Sequence, residues 1–452
     1  MACSMAWQRK CATSHSTGLP RHGHRKFPCY IGRMRAFGLA AFLLLSASAT
    51  AQSTGSRGEI HYRVTIDSIT EGRAQVSMRA HGGRQLPAQI RSYAHLMNLG
   101  SQVSNASCDG LALAQESNAP GLTVPDDCSE VTWQSSLTAY DGIGHLPSDQ
   151  QSWQFDNGQW MVFSTVSSLL RPIGDARERL FLCVEGEPCR ETLLAAANQA
   201  PHFIVSGNVP AIEYRSHGFT LRYVGGDLES VARFIEPARH FEGIEYLREV
   251  LGPAKFEEKD ESTVVWIAQS GDSRSLGAAT GISTLLVNFV PDARRSAQRA
   301  IFMPFVGVLH EQFHQLSRSN APVWVNESLA HFYAMRSALR ALPDNRALRD
   351  FIAAELADLR PPSIGLLEVQ RQVDSEGNFE NYGQFYESGP KFWHAIDTLL
   401  VESSSGTRSI DDLLPQLLLG DWSGDRPLPS AAMELLEPQE IERLQEVFAR
   451  YL

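Results

Sequence analysis

The apolar residues of this chain change texture near Gly226, from strand-like alternation to mainly helical spacing. That switch limits the fold to an α+β arrangement with strands and helices segregated along the sequence. From about residue 59 to 224 the texture is β. EIHYRVTIDSI and RAQVSMRA alternate and are rich in branched side chains, and WQFDNGQWMVFST sets Asp156-Asn157-Gly158 between two aromatic-rich runs, a hairpin signal. Turn clusters recur at short spacing, as in a β-sandwich, and GFTLRYVGG supplies a last strand. Beyond Gly226, DLESVARFIEPARHFEGIEYLREVLG carries helical periodicity with Pro237 as an interruption. STVVWIAQ (262–269) and STLLVNF (283–289) read as strands, and from about 297 the chain reads as helices. Among these are RAIFMPFVGVLHEQFHQLSR, PVWVNESLAHFYAMRSALRA, QFYESGPKFWHAIDTLLVES and PQEIERLQEVFARYL. Ser409 with Asp411 and Asp412 suits a helix cap, and the acidic pairs Glu257-Glu258 and Asp411-Asp412 read as solvated.

The first 51 residues read as a secretory leader. Arg33-Met34-Arg35 is a basic start, AFGLAAFLLLSA (36–47) an apolar run too short to span a bilayer, and Ala49-Thr50-Ala51 a small-x-small cleavage site. Met34 is the expected start of translation, and a transit peptide is the alternative. The expected division is therefore a leader over 1–51, a β-rich domain over 52–224 and a mainly helical domain over 225–452. The leader holds seven basic and no acidic residues, so its removal moves the formal net charge from −11 to −18. So acidic a body repels phosphate backbones, which excludes nucleic acid as a partner. A composition of 43% hydrophobic and 20% charged residues excludes a disordered chain and a many-span membrane protein. No stable membrane span is expected, and the protein is expected to be secreted or periplasmic.

Three of the seven cysteines lie in the leader, leaving Cys108, Cys128, Cys183 and Cys189. An even number in an exported chain points to two disulfides. Three pairings are possible, with sequence proximity favouring Cys108–Cys128 and Cys183–Cys189; free buried thiols are the alternative. None lies near histidines at zinc-ligand spacing.

The chemistry concentrates in His310-Glu311-Gln312-Phe313-His314. On a helix, His310 and His314 project the same way from successive turns and can share one Zn²⁺, while Glu311 stands beside a metal-bound water as its base. The flanks of the motif are apolar enough for a buried helix. The next helix offers a third ligand, Glu327, thirteen residues beyond His314, with a turn at Ser319-Asn320-Ala321 between the two. His331 lies four residues after Glu327, on the same face, and is expected to support a ligand from behind.

HEQFH followed by WVNESLAHFYA resembles the gluzincin metallopeptidases, whose third ligand is the Glu of an NE-x-x-A helix. It is most similar to the aminopeptidase N and glycyl aminopeptidase families. Tyr386-Glu387-Ser388-Gly389 is similar to the YEKG segment of aminopeptidase N and follows Glu327 by 59 residues. The resemblance, convincing over about 262–420, implies a thermolysin-like, mainly helical zinc-peptidase domain with one Zn²⁺ per chain, peptide or protein substrates, and Tyr386 as donor to the oxyanion. The chain also departs from those families. Gly277-Ala278-Ala279-Thr280-Gly281 stands where they carry Gly-x-Met-Glu-Asn, with Thr280 replacing the Glu that binds a substrate's free amine. Gly277, Ala278 and Thr280 are therefore expected to line the substrate without an obligate amine contact, and STLLVNF offers an edge for β-addition. The gap between His314 and Glu327 is shorter than in aminopeptidase N. Only 66 residues follow Tyr386, which suits an open cleft. The other function class is a non-catalytic exported binding or assembly protein on the same scaffold; the intact base and tyrosine argue against it.

Overall fold

The computed structural model describes residues 59–82, 85–96, 101–113, 121–142, 146–173, 176–196, 199–256, 260–269, 277–291, 298–357, 361–422 and 427–452. The expected leader and Glu257-Glu258 lie outside the described residues.

The N-terminal part is built from three sheets. A seven-stranded sheet is centred on β1 (Glu59–Ile66) and β2 (Arg73–His81), paired antiparallel. On β1 the residues Ile60, Tyr62, Val64 and Ile66 are buried and alternate with partly exposed ones, as the sequence period requires. A three-stranded sheet and a four-stranded sheet cover this core. In the four-stranded sheet, β3 (Trp153–Phe155) and β4 (Trp160–Ser164) form the expected hairpin, closed by Asp156, Asn157 and Gly158, all at positive φ. Glycine is required at 158, since a Cβ there would lie 2.5 Å from the Thr70 Cα. Every residue of β4 is buried because both faces are covered. Met161 and Phe163 enter the first core, whereas Trp160 and Val162 pack onto a further sheet.

That further sheet has five strands: β5 (Ala211–Ser216), β6 (Phe219–Val224), β7 (Glu261–Ala268), β8 (Ala278–Thr280) and β9 (Thr284–Phe289), in the order β5-β6-β7-β9-β8. It takes two strands from before the 224/225 division expected from the sequence. One face (Val265, Ile267, Ala279, Leu286) meets Trp153, Phe155 and Trp160; the other (Tyr223, Val264, Trp266, Leu285, Val287) meets the helices. Burial on both faces explains the continuous apolar runs of β7 and β9. STLLVNF is not the edge strand that the sequence leads one to expect. It pairs with β7 on one side and with β8 on the other, so the edge strand is β8.

The helical part opens with α1 (Leu228–Phe234) and α2 (Pro237–Leu251), separated where Pro237 starts a new first turn. Its centre is α3 (Gln298–Leu316) and α4 (Val323–Ala341), joined by residues 317–322. Both are apolar on nearly all sides and lie in the main core. The helix expected over 384–403 is broken into α5 (Gln384–Glu387) and α6 (Gly389–Ser403), with Pro390 in the first turn of the second piece. A Cβ on Gly389 would fall 2.2 Å from Ser328 Cβ, so only glycine lets α6 approach α4 this closely. The closing helix is α7 (Pro438–Tyr451). Ser409 caps residues 410–412 with Asp412, as expected. Asp411 is not simply solvated: it accepts a 2.9 Å hydrogen bond from Tyr333 and pairs with Arg336 at 3.0 Å, tying this turn to α4. Both disulfides join the nearer partners, Cys108–Cys128 and Cys183–Cys189. Among the described residues no helix is long and apolar enough to cross a membrane.

On α2, His240 is completely buried, its Nδ1 2.8 Å from the Tyr223 hydroxyl. Burial pushes its imidazole pKa down to about 3. Between that value and the ordinary ~6.5 the unfolded chain binds a proton that the folded chain excludes, so this contribution is complete above pH 6.5 and is lost as pH falls. Urea unfolding of the parent and His240→Gln should therefore diverge. The parent should lose about 2 kcal/mol more than the variant between pH 8 and pH 5; parallel losses would contradict the assignment.

Candidate metal centre

Three potential ligands converge where α3 and α4 face each other. His310 and His314 stand one turn apart on α3 with their Nε2 atoms 3.0 Å from one another. Glu327, in the first two turns of α4, places Oε2 at 3.5 Å from His310 Nε2 and 3.9 Å from His314 Nε2. The link 317–322 is short enough to force this facing arrangement. Asn326 secures it by donating from Nδ2 to the carbonyls of Ala321 at 2.5 Å and Pro322 at 3.2 Å. His310 and Glu327 are fully buried and the His314 side chain is 5% exposed.

The donor set fits zinc. Tetrahedral ligands at roughly 2.0–2.1 Å from an ion stand roughly 3.3–3.4 Å from each other, and the observed separations of 3.0, 3.5 and 3.9 Å bracket that spacing. Among the described residues, His310 Nδ1, Glu311 Oε1 and Glu327 Oε1 are buried without a hydrogen-bond partner, a polar deficit of the kind an ion and its water relieve. Burial holds the His310 imidazole well below its ordinary pKa and brings His314 and His331 down to about 3. All three are therefore neutral at pH 7, the form that coordinates metal. The same burial raises Glu311 and Glu327 to about 8. A dication among them favours the carboxylate forms and reverses that shift.

The surrounding residues take definite places. Glu311 is fully buried, and Thr280, on the edge strand β8, directs its hydroxyl to Glu311 Oε2 while lying 3.1 Å from the Glu311 carbonyl. Ala278 and Thr280 are each 2% exposed, and the Gly277 amide donates to Asn288 Oδ1 at 2.6 Å. Tyr386, at the end of α5, donates to Glu327 Oε2 at 2.7 Å. His331 is buried with its ring edge-on to His310 and Tyr386, at 5.8 Å from each. Tyr382, which the sequence did not single out, is buried beside this group, its ring centroid 5.9 Å from that of Tyr386. The Tyr-x-x-x-Tyr spacing of YGQFY was the available signal, but Tyr382 sits in the turn before α5, where helical periodicity is silent.

No protein-family model matches the sequence, and no curated protein matches it. Solved structures do. An aminopeptidase N family protein from Idiomarina loihiensis superposes with a TM-score of 0.58 at 12% identity, over 79% of this chain and 69% of its own. A mutant M1 zinc metallopeptidase from Deinococcus radiodurans, bound to a Tyr-Ser-Ala substrate, gives a TM-score of 0.51 at 16% identity over 88% of this chain and 94% of its own. The chain has the gluzincin aminopeptidase fold. A two-domain M1 zinc metallopeptidase bound to L-tryptophan shares this fold at a TM-score of 0.50 and 16% identity, over 88% of this chain and 95% of its own.

Calorimetric titration of the metal-free protein should give one Zn²⁺ per chain. At free zinc near 100 times Kd, the folded state should gain about 2.7 kcal/mol, read as a rise in Tm. His314→Ala should lose most of both effects. A Tm indifferent to zinc in the parent would contradict the site.

Proposed function

We propose that this chain is an exported zinc-dependent peptidase, with a β-rich part over 59–207 and a catalytic part over 211–452. The observation that carries the reading is the convergence of His310, His314 and Glu327 with the free Oε1 of Glu311 beside them. The leader pattern and the two disulfides support export. The tripeptide held by a structural neighbour supports peptides as substrates.

His310, His314 and Glu327 would hold the ion. Zinc, when bound, supplies Lewis acidity toward a carbonyl oxygen and makes water a usable nucleophile near neutral pH. Glu311 takes the proton of the attacking water on Oε1 and hands it to the leaving amine. Tyr386, whose hydroxyl lies 2.7 Å from Glu327 Oε2, turns the same donor toward the oxygen of the tetrahedral intermediate. A phenol donates there without adding a cation that would compete with the metal. His331 packs on both His310 and Tyr386 and restricts how either ring can tilt.

Two substitutions test the roles. Glu311→Gln should keep its zinc and lose hydrolysis by at least ~10²–10⁴-fold. Tyr386→Phe should lower kcat by ~10²-fold or more with zinc content unchanged. Peptide digests with and without chelator read both, and a Glu311→Gln enzyme as active as the parent would rule out the mechanism.

A further inference from the structure

We propose that Thr280 is a positioning residue that fixes the orientation of the Glu311 carboxylate and thereby decides which of its oxygens accepts the proton; this rests on the peptidase reading given above. Thr280 Oγ1 donates to Glu311 Oε2, while Oε1 has no partner among the described residues. One oxygen of the base is thus held and the other is open.

The holding is rigid because the donor sits on pinned backbone. On either side of Thr280, the Gly277 amide donates to Asn288 Oδ1 at 2.6 Å and the Gly281 amide to the Thr284 carbonyl at 2.8 Å, both on or next to β9. One turn beyond Glu311, Gln315 donates from Nε2 to the Gly281 carbonyl at 3.3 Å. The metal-motif helix and the edge strand are therefore joined at two neighbouring points, 280 to 311 and 281 to 315. A carboxylate held this way cannot rotate about its last torsion without giving up a buried hydrogen bond. A neutral hydroxyl suits the position better than an acid. A carboxylate at 280 would bring a like charge within hydrogen-bond distance of the base, and the two would share one proton instead of leaving Glu311 free to collect it. The hydroxyl has one proton to give and gives it to Glu311.

The test uses the full chain, zinc-loaded, as Thr280→Val and Thr280→Ser. Valine keeps the shape and removes the donor; serine keeps the donor and removes the methyl group. Both variants should bind one zinc per chain. Thr280→Val should lower kcat by roughly 10–100-fold with KM within about twofold of the parent, and Thr280→Ser should stay within about threefold of the parent in kcat. Crystal structures of the metal-free variants supply a reading independent of activity: the Glu311 carboxylate should turn away from its parental orientation in Thr280→Val and keep it in Thr280→Ser. If Thr280→Val does not fold, Thr280→Ala takes its place with the same expectation. A donor-less variant with parental kcat and parental Glu311 orientation overturns the proposal. So does a serine variant as impaired as the valine variant, because the methyl group would then be what matters. If the parent hydrolyses no peptide, the peptidase reading fails on its own account, and the Glu311 orientation in the two variant structures still decides the role of Thr280.

Discussion

The structure depends on holding two imidazoles and a carboxylate against one another in a largely buried space. Each of these groups is costly to bury alone, and each has a strongly shifted pKa for that reason. Two apolar helices, α3 and α4, nevertheless meet at this point, set side by side by the short link 317–322. A cation would resolve the conflict. It would offset the buried carboxylate charge of Glu327 and give a bonding partner to nitrogen atoms that crowd each other at 3.0 Å.

Much of the remaining molecule keeps those helices in place. Behind α4, Ser328 accepts from the Trp393 indole at 2.7 Å and donates to the Trp324 carbonyl, and Gly389 lets α6 settle against it. That contact carries α5, and with it Tyr386, to the edge of Glu327. Further along α4, Ser337 donates to the Gly243 carbonyl of α2 at 2.8 Å, and Arg336 reaches Asp411. In front of α3, the five-stranded sheet presents β8, and its other face rests on the aromatic cluster of the four-stranded sheet. The β-rich part therefore acts on the site through the sheet: it backs the strand that touches Glu311.

Much of this was legible in the sequence. The period change gave the segregation of strands and helices, the Asp156-Asn157-Gly158 turn gave its hairpin, and His310-x-x-x-His314 with Glu327 gave three residues that do converge. What was not legible depends on contacts remote in sequence. STLLVNF reads as a possible edge because its alternation is silent about neighbours; pairing with both β7 and β8 makes it internal. GFTLRYVGG looks like the last strand of the β-rich region, yet it pairs with β7, each residue with one 41 positions further on (Thr220 with Glu261, Val224 with Val265). The break at Ser388 comes just before Pro390, which has no N–H for the Tyr386 carbonyl; the helical periodicity of 384–403 runs through this stop signal and hides it. Asp411 reads as one half of a solvated pair because Tyr333 and Arg336 lie far away in sequence.

X-ray absorption at the zinc edge, combined with anomalous diffraction from crystals of the zinc-loaded parent chain, addresses the central claim most directly. The account predicts one ion bonded at about 2.0–2.1 Å to two imidazole nitrogens and a carboxylate oxygen, located between His310, His314 and Glu327. An ion bound without Glu327, or anomalous density confined to another part of the molecule, would contradict it.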